Sequence, residues 1–186
     1  MKNEIGFNQR MVTKDDCVLI IIDEQDRLMP VIAGNEVLIQ NALRLLKFSQ
    51  LLDIPVVITE QEKLGPTLSE VKAEAVGIRP IGKVHFNCFM SEEFERTLQQ
   101  LERKILILAG VEAHICVTQT ALHALQSFKV HIVADAIGSR AADNRDIAIE
   151  RMRQAGAIIT STEMFIYEVL QRAGTDKFKA ALQLVK

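Results

Sequence analysis

Three residues of this chain combine reactive side chains with positions where a parallel α/β fold presents chemistry. Asp23 emerges directly from the apolar hexamer Cys17–Ile22 (CVLIII) and opens the run Asp23-Glu24-Gln25-Asp26. A carboxylate there can cap the following turn or carry a proton for a reaction. Cys116 closes the segment Gly110-Val111-Glu112-Ala113-His114-Ile115-Cys116, which turns from strand pattern to helix pattern. Exposed amides and the positive end of a helix dipole are expected to lower its thiol pKa from the usual ~8.5, the setting of a nucleophile. A free cysteine can equally be a small core hydrophobe. Lys83 sits in Ile81-Gly82-Lys83-Val84-His85-Phe86-Asn87-Cys88-Phe89, where a lysine taken alone would simply snorkel to the surface.

The elements that must position these groups are legible as alternating periodicities. Five short runs rich in Val and Ile read as buried strands: Cys17–Ile22, Pro55–Thr59, Lys104–Ala109, Val130–Ala134 and Ala157–Thr160. Between them lie amphipathic segments at helical spacing, 36–52, 91–102, 115–128 and 143–154, with 162–172 and 175–185 as closing helices. That order predicts an α/β fold, a three-layer Rossmann-like open parallel sheet with helices on both faces. Ligands of such sheets bind beyond the carboxyl ends of the strands, where Asp23 and Cys116 both fall.

The 186 residues, 48% of them hydrophobic, suffice for one core, so a single domain over residues 1–186 is expected, with 1–15 as an N-terminal extension. Basic and acidic residues nearly cancel, 22 against 24, which predicts neither a nucleic acid nor a membrane as partner but a small-molecule substrate. The polar, mixed-charge start does not read as a secretory signal, and no run is long enough to span a bilayer. Cys17, Cys88 and Cys116 form no closely spaced pair and are read as thiols, in keeping with a cytoplasmic protein.

In combination the segments resemble the isochorismatase-like cysteine hydrolase family, over nearly the whole chain from Cys17 to about Lys179. The resemblance rests on Asp23-x-Gln25 after an apolar strand and on Gly82-Lys83-x-x-Phe86-x-x-Phe89. It rests also on strand-Gly110-Val111-Glu112-x-x-x-Cys116 opening a helix and on Val133-Ala134-Asp135-Ala136. The Val-Glu-Ala form at 111–113 and Arg151-Met152-Arg153-Gln154-x-Gly156-Ala157 look most like the isochorismatase domain-containing branch. The resemblance implies a catalytic triad of Asp23, Lys83 and Cys116. It also implies an oxyanion hole from the backbone N–H groups of Glu112 and Cys116, a cis Val111–Glu112 bond, and assembly into a homo-oligomer. In this scheme Cys116 attacks an electrophilic carbon while Asp23 takes and returns the proton. Lys83 stabilises the charged forms, and no cofactor or metal is required.

Departures from the family pattern narrow the reading. Nicotinamide-hydrolysing members carry an Asp-x-His metal segment where this chain has Thr59-Glu60-Gln61-Glu62, a poor zinc ligand set. Isochorismate cleavage needs no thiol, so Cys116 points to a small amide, carbamoyl or related acyl substrate. Gln25 could orient a substrate amide or merely satisfy backbone groups, and His114 could line the pocket or cap its turn. Cys88 is expected to pack on the sheet. The Asp135–Arg140 stretch is read as a turn that could also close part of the site. The residues between Thr162 and Leu170, with Met164, Phe165, Ile166, Tyr167 and Val169, are apolar around more of a helix than one sheet face needs, which also predicts assembly. The alternative to an active hydrolase is a vestigial member serving as an oligomeric interaction module.

Overall fold

The computed structural model describes residues 11–185. Its centre is a six-stranded, all-parallel sheet in the order β3-β2-β1-β4-β5-β6. The strands are β1 (Cys17–Ile22), β2 (Val56–Gln61), β3 (Ile81–Lys83), β4 (Ile105–Val111), β5 (Lys129–Gly138) and β6 (Ile158–Thr160). The helices are α1 (Asn35–Leu52), α2 (Ser69–Glu74), α3 (Glu92–Leu101), α4 (Thr118–Ala124), α5 (Ala142–Gln154), α6 (Thr162–Leu170) and α7 (Asp176–Val185). The expected three-layer α/β architecture is therefore observed.

β1 shows why its sequence is unbroken apolar. Cys17, Leu19 and Ile21 enter a core shared with α1, α6 and α7, while Val18, Ile20 and Ile22 enter a second core shared with α3, α4 and α5. A strand covered on both faces buries every side chain, and each Ile or Leu so buried contributes roughly 2 kcal/mol. α1 presents Leu38, Ala42, Leu45, Leu46, Ser49 and Leu52 to the sheet at helical spacing and ends at Asp53 in a left-handed conformation.

Two elements escape the sequence reading. β3, only three residues long, pairs with β2 through Thr59–Ile81, Glu60–Gly82 and Gln61–Lys83, so the sheet has six strands rather than five. The short α2 covers the α1 face below it, burying Val71. The stretch from Asp135 to Gly138 is the second half of β5 rather than a turn. The segment expected as one helix over 115–128 starts instead with a single π turn at Ala113–Val117 and continues as α4. Of the expected N-terminal extension, residues 1–10 lie outside the described residues. Val12 is buried, with its N–H donating to Glu168 Oε1 at 2.8 Å.

Candidate active site

The strand order reverses between β1 and β4, and the loops leaving their carboxyl ends diverge to open a crevice there. Asp23 leaves β1 into this crevice in a left-handed conformation (φ 54°), which Asp tolerates better than most side chains. Gly110, paired in register with Ile22, lets β4 press against the end of β1: a Cβ there would overlap the Ile22 main chain, and its φ of 108° also favours glycine. The next bond, Val111–Glu112, is cis, as the resemblance implied. From there the π turn carries Cys116 back over β1.

Lys83, the last residue of β3, reaches across β2 into the same place. Its Nζ donates to Asp23 Oδ2 at 2.7 Å, to Gln61 Oε1 at 2.8 Å, and to Cys116 Sγ at 3.7 Å. The Asp23 and Lys83 side chains are almost wholly inaccessible to solvent. Thr59 completes the carboxylate by donating its hydroxyl to Oδ1 at 2.7 Å. The three residues singled out in the sequence are thus brought together.

The electrostatics differ from the expected activated thiol. Burial, followed by the charge of Asp23, pushes the Cys116 thiol well above its ordinary value, and Lys83 only partly opposes this. The thiol also hydrogen-bonds to Asp23, which further favours the protonated form. Cys116 therefore rests as a thiol and not as the thiolate that helix position alone suggested. Desolvation outweighs the dipole because the group sits in the second core beside a carboxylate. For Lys83, burial favours the neutral amine, but the charge of Asp23 and its hydrogen bond outweigh it and hold the ammonium above its ordinary pKa. Cys88 is fully buried beside the site, where desolvation pushes its thiol up to about 11.

A cavity of about 310 Å³ opens over Asp23 and Cys116, its apolar walls formed by Leu28, Leu64, Phe86 and Ile115, and its polar edge by Gln61, Glu112 and Arg140. Arg140 is fixed there by Glu112, which accepts from its Nε at 3.1 Å and from its backbone N–H at 2.9 Å. A larger, more open depression of about 670 Å³ alongside β3 is lined by Lys83 and shares Gln61 with the cavity but contains neither Asp23 nor the thiol, so the smaller cavity is the candidate substrate site.

Two expected substrate contacts fall elsewhere. Gln25 is fully buried and does not line the cavity: its Nε2 donates to the carbonyls of Gln61 and Gly65, and its Oε1 accepts from the Gln61 N–H. His114 also stays outside the cavity lining, with Nδ1 hydrogen-bonded to Ser139 Oγ at 2.9 Å. Asp135, part of the resemblance, caps α6 by accepting from the Thr162 N–H and hydroxyl. Thr59 and Gln61 are the functional candidates that sequence reasoning missed. Period-2 alternation in β2 puts them on one face beside Asp23, and that alternation is the signal in the sequence that could have found them. Among the described residues, no three His, Cys, Asp or Glu side chains are placed to hold a metal ion together.

A thiol, a carboxylate and an ammonium thus meet at the switch point of an open parallel α/β sheet. The isochorismatase domain profile matches residues 17–164, and the chain belongs to that family. It is 34% identical over 179 residues to isochorismatase domain-containing protein 2A of Mus musculus, covering 94% of this chain and 85% of the relative. Its fold is similar to that of the MAR1 ribonuclease from Caenorhabditis elegans, with TM-score 0.89, 31% identity, and coverage of 95% and 92% of the two chains. It is also similar to the YcaC gene product of Escherichia coli, described as an octameric hydrolase of unknown specificity, with TM-score 0.87, 27% identity, and coverage of 94% and 88%.

Proposed function

We propose that this protein is a cysteine hydrolase in which Cys116, Asp23 and Lys83 cleave a small amide, carbamoyl or related acyl compound. The observation that carries the reading is that the buried ammonium of Lys83 lies within reach of both the Asp23 carboxylate and the Cys116 sulfur. On substrate binding, Cys116 Sγ attacks the carbonyl carbon as its proton passes to Asp23, so thiolate forms only as the new C–S bond does. Among the described residues, neither the Glu112 nor the Cys116 amide donates outside its own turn, which supports their role as donors to the tetrahedral oxyanion. Collapse of the adduct expels the amine, which takes the proton back from Asp23 and leaves a thioester. Water, deprotonated by Asp23, then releases the acid and the thiol.

The cavity admits only a small substrate, and the net charge of −2 offers little attraction to a polyanion, so the ribonuclease name of the nematode neighbour is not carried over. Homo-oligomerisation is part of the proposal, supported by the octameric bacterial relative and by apolar side chains left exposed at Phe86 in the cavity wall and at Val84 and Met90 in the larger depression. The test is trapping. Incubation with a panel of small amides should give a covalent adduct that peptide mapping places on Cys116, and Cys116→Ala should abolish turnover with an unchanged melting temperature. Retention of turnover by that variant sinks the assignment.

A further inference from the structure

We infer that Gln61 is a positioning residue of the active site, the neutral acceptor that fixes the Lys83 ammonium so that its remaining proton faces Cys116. The inference rests on the triad reading above and adds a fourth member to it. An ammonium has three protons and no acceptor. In this site two of them are taken by strong acceptors, Asp23 Oδ2 at 2.7 Å and Gln61 Oε1 at 2.8 Å, and the third is directed to the sulfur at 3.7 Å. Without the Gln61 oxygen, rotation about the Cε–Nζ bond would meet no resistance from one of its two anchors. The proton aimed at the thiol would then be shared among several orientations.

Everything around Gln61 holds its amide in this one sense. Its Nε2 donates to the Val84 carbonyl at 2.7 Å, so a flipped amide would set N–H against the ammonium and oxygen against the carbonyl. Its main chain is clamped on both sides by Gln25, which accepts from the Gln61 N–H at 2.7 Å and donates to the Gln61 carbonyl at 3.0 Å. Gln25 therefore acts through Gln61, which accounts for a fully buried amide adjacent to the catalytic turn. The acceptor is neutral, and that matters: a carboxylate at this position would offer the ammonium a second negative partner in competition with the developing thiolate. Thr59 does the matching service for Asp23 by occupying Oδ1, so the two side chains on one face of β2 together fix both charged members of the triad.

The experiment measures the rate of Cys116 alkylation by iodoacetamide from pH 6 to pH 10. Peptide mapping separates Cys116 from the two other thiols, and each variant is checked for a native melting transition. Lys83→Met serves as the benchmark and should slow Cys116 alkylation across the range. Gln61→Met, similar in length but with no acceptor for the ammonium, should slow it about tenfold near neutral pH, displacing the profile upward by about one pH unit. Gln61→Glu, which keeps the acceptor and adds a charge, should displace the profile in the same direction without loss of the fold. If Lys83→Met slows the reaction and both Gln61 variants follow the wild-type profile, Gln61 has no positioning role and the triad reading stands. If Lys83→Met itself leaves the profile unchanged, the triad reading falls and this inference with it.

Discussion

At the scale of single residues, two buried acids adjacent in sequence meet opposite fates. Asp23 accepts hydrogen bonds on both oxygens, whereas Glu24, equally inaccessible, has no hydrogen-bond partner for either carboxyl oxygen among the described residues. Burial, reinforced by the charge of Glu70, raises the Glu24 pKa to about 8, so the side chain is held neutral near pH 7. Because the folded pKa lies above the unfolded one, the stability this group contributes is complete below its ordinary carboxylate pKa and is lost as pH rises through about 8. Glu24→Gln should therefore flatten the fall in melting temperature between pH 5 and pH 8, and should melt higher than wild type at pH 8. Thermal denaturation across that range checks both. The triad members are less forgiving. Lys83→Ala should abolish turnover and also cost roughly 3–5 kcal/mol, since it leaves the Asp23 carboxylate buried without its counter-ion. Urea titration beside the activity assay separates the two effects, and an unchanged denaturation midpoint would contradict the buried pair.

At the scale of elements, the sequence discloses the long ones and hides the short ones. β1, β4 and β5 are apolar because both their faces are covered, and a hexamer such as CVLIII has no other comfortable home. β3 has three residues, one of them Gly82, and too little pattern to be distinguished from a loop; pairing with β2 makes it a strand. Asp23 and Cys116 were legible because a charged or reactive group at a strand end stands out against its apolar surroundings; Lys83 ends a strand that the pattern does not disclose and was legible only in combination with them, through the family resemblance. Thr59 and Gln61 were not, because their importance lies in hydrogen bonds to residues distant in sequence. The thiol pKa departs from its expected direction for a related reason: helix position is local and visible in a sequence, desolvation by a second core is neither. β4 packs directly on the main chain of β1 at Gly110. Gly110→Ala should push β4 away from β1, lower the melting temperature markedly and reduce turnover beyond what the lost stability explains. An activity measured well below the variant's melting point and equal to wild type would show that the β1–β4 spacing is not critical to the site.

At the scale of the whole molecule, the apolar surplus expected on α6 is largely absorbed within the monomer. Phe165 packs edge-on against Phe48 in the core, so it cannot serve as an interface residue, and Ile166 is buried with it. Met164, 60% exposed, and Tyr167, 39% exposed, are what remain of that face. Light scattering at micromolar concentration should give a multiple of the 20.8 kDa chain mass, and Met164→Glu or Val84→Glu should reduce it if the corresponding face is an interface. A monomeric mass removes the assembly proposal. The strand order carries one more implication. Each half of the sheet is continuous in sequence, β1 to β3 on one side and β4 to β6 on the other, and the chain passes between the halves once, through α3. The Asp23 carboxylate and the Lys83 ammonium belong to the first half and the Cys116 sulfur to the second. A nick in the exposed turn at Glu102 would leave two fragments, each with an incomplete set of reactive groups, so that turnover would register the reunion of one piece with the other.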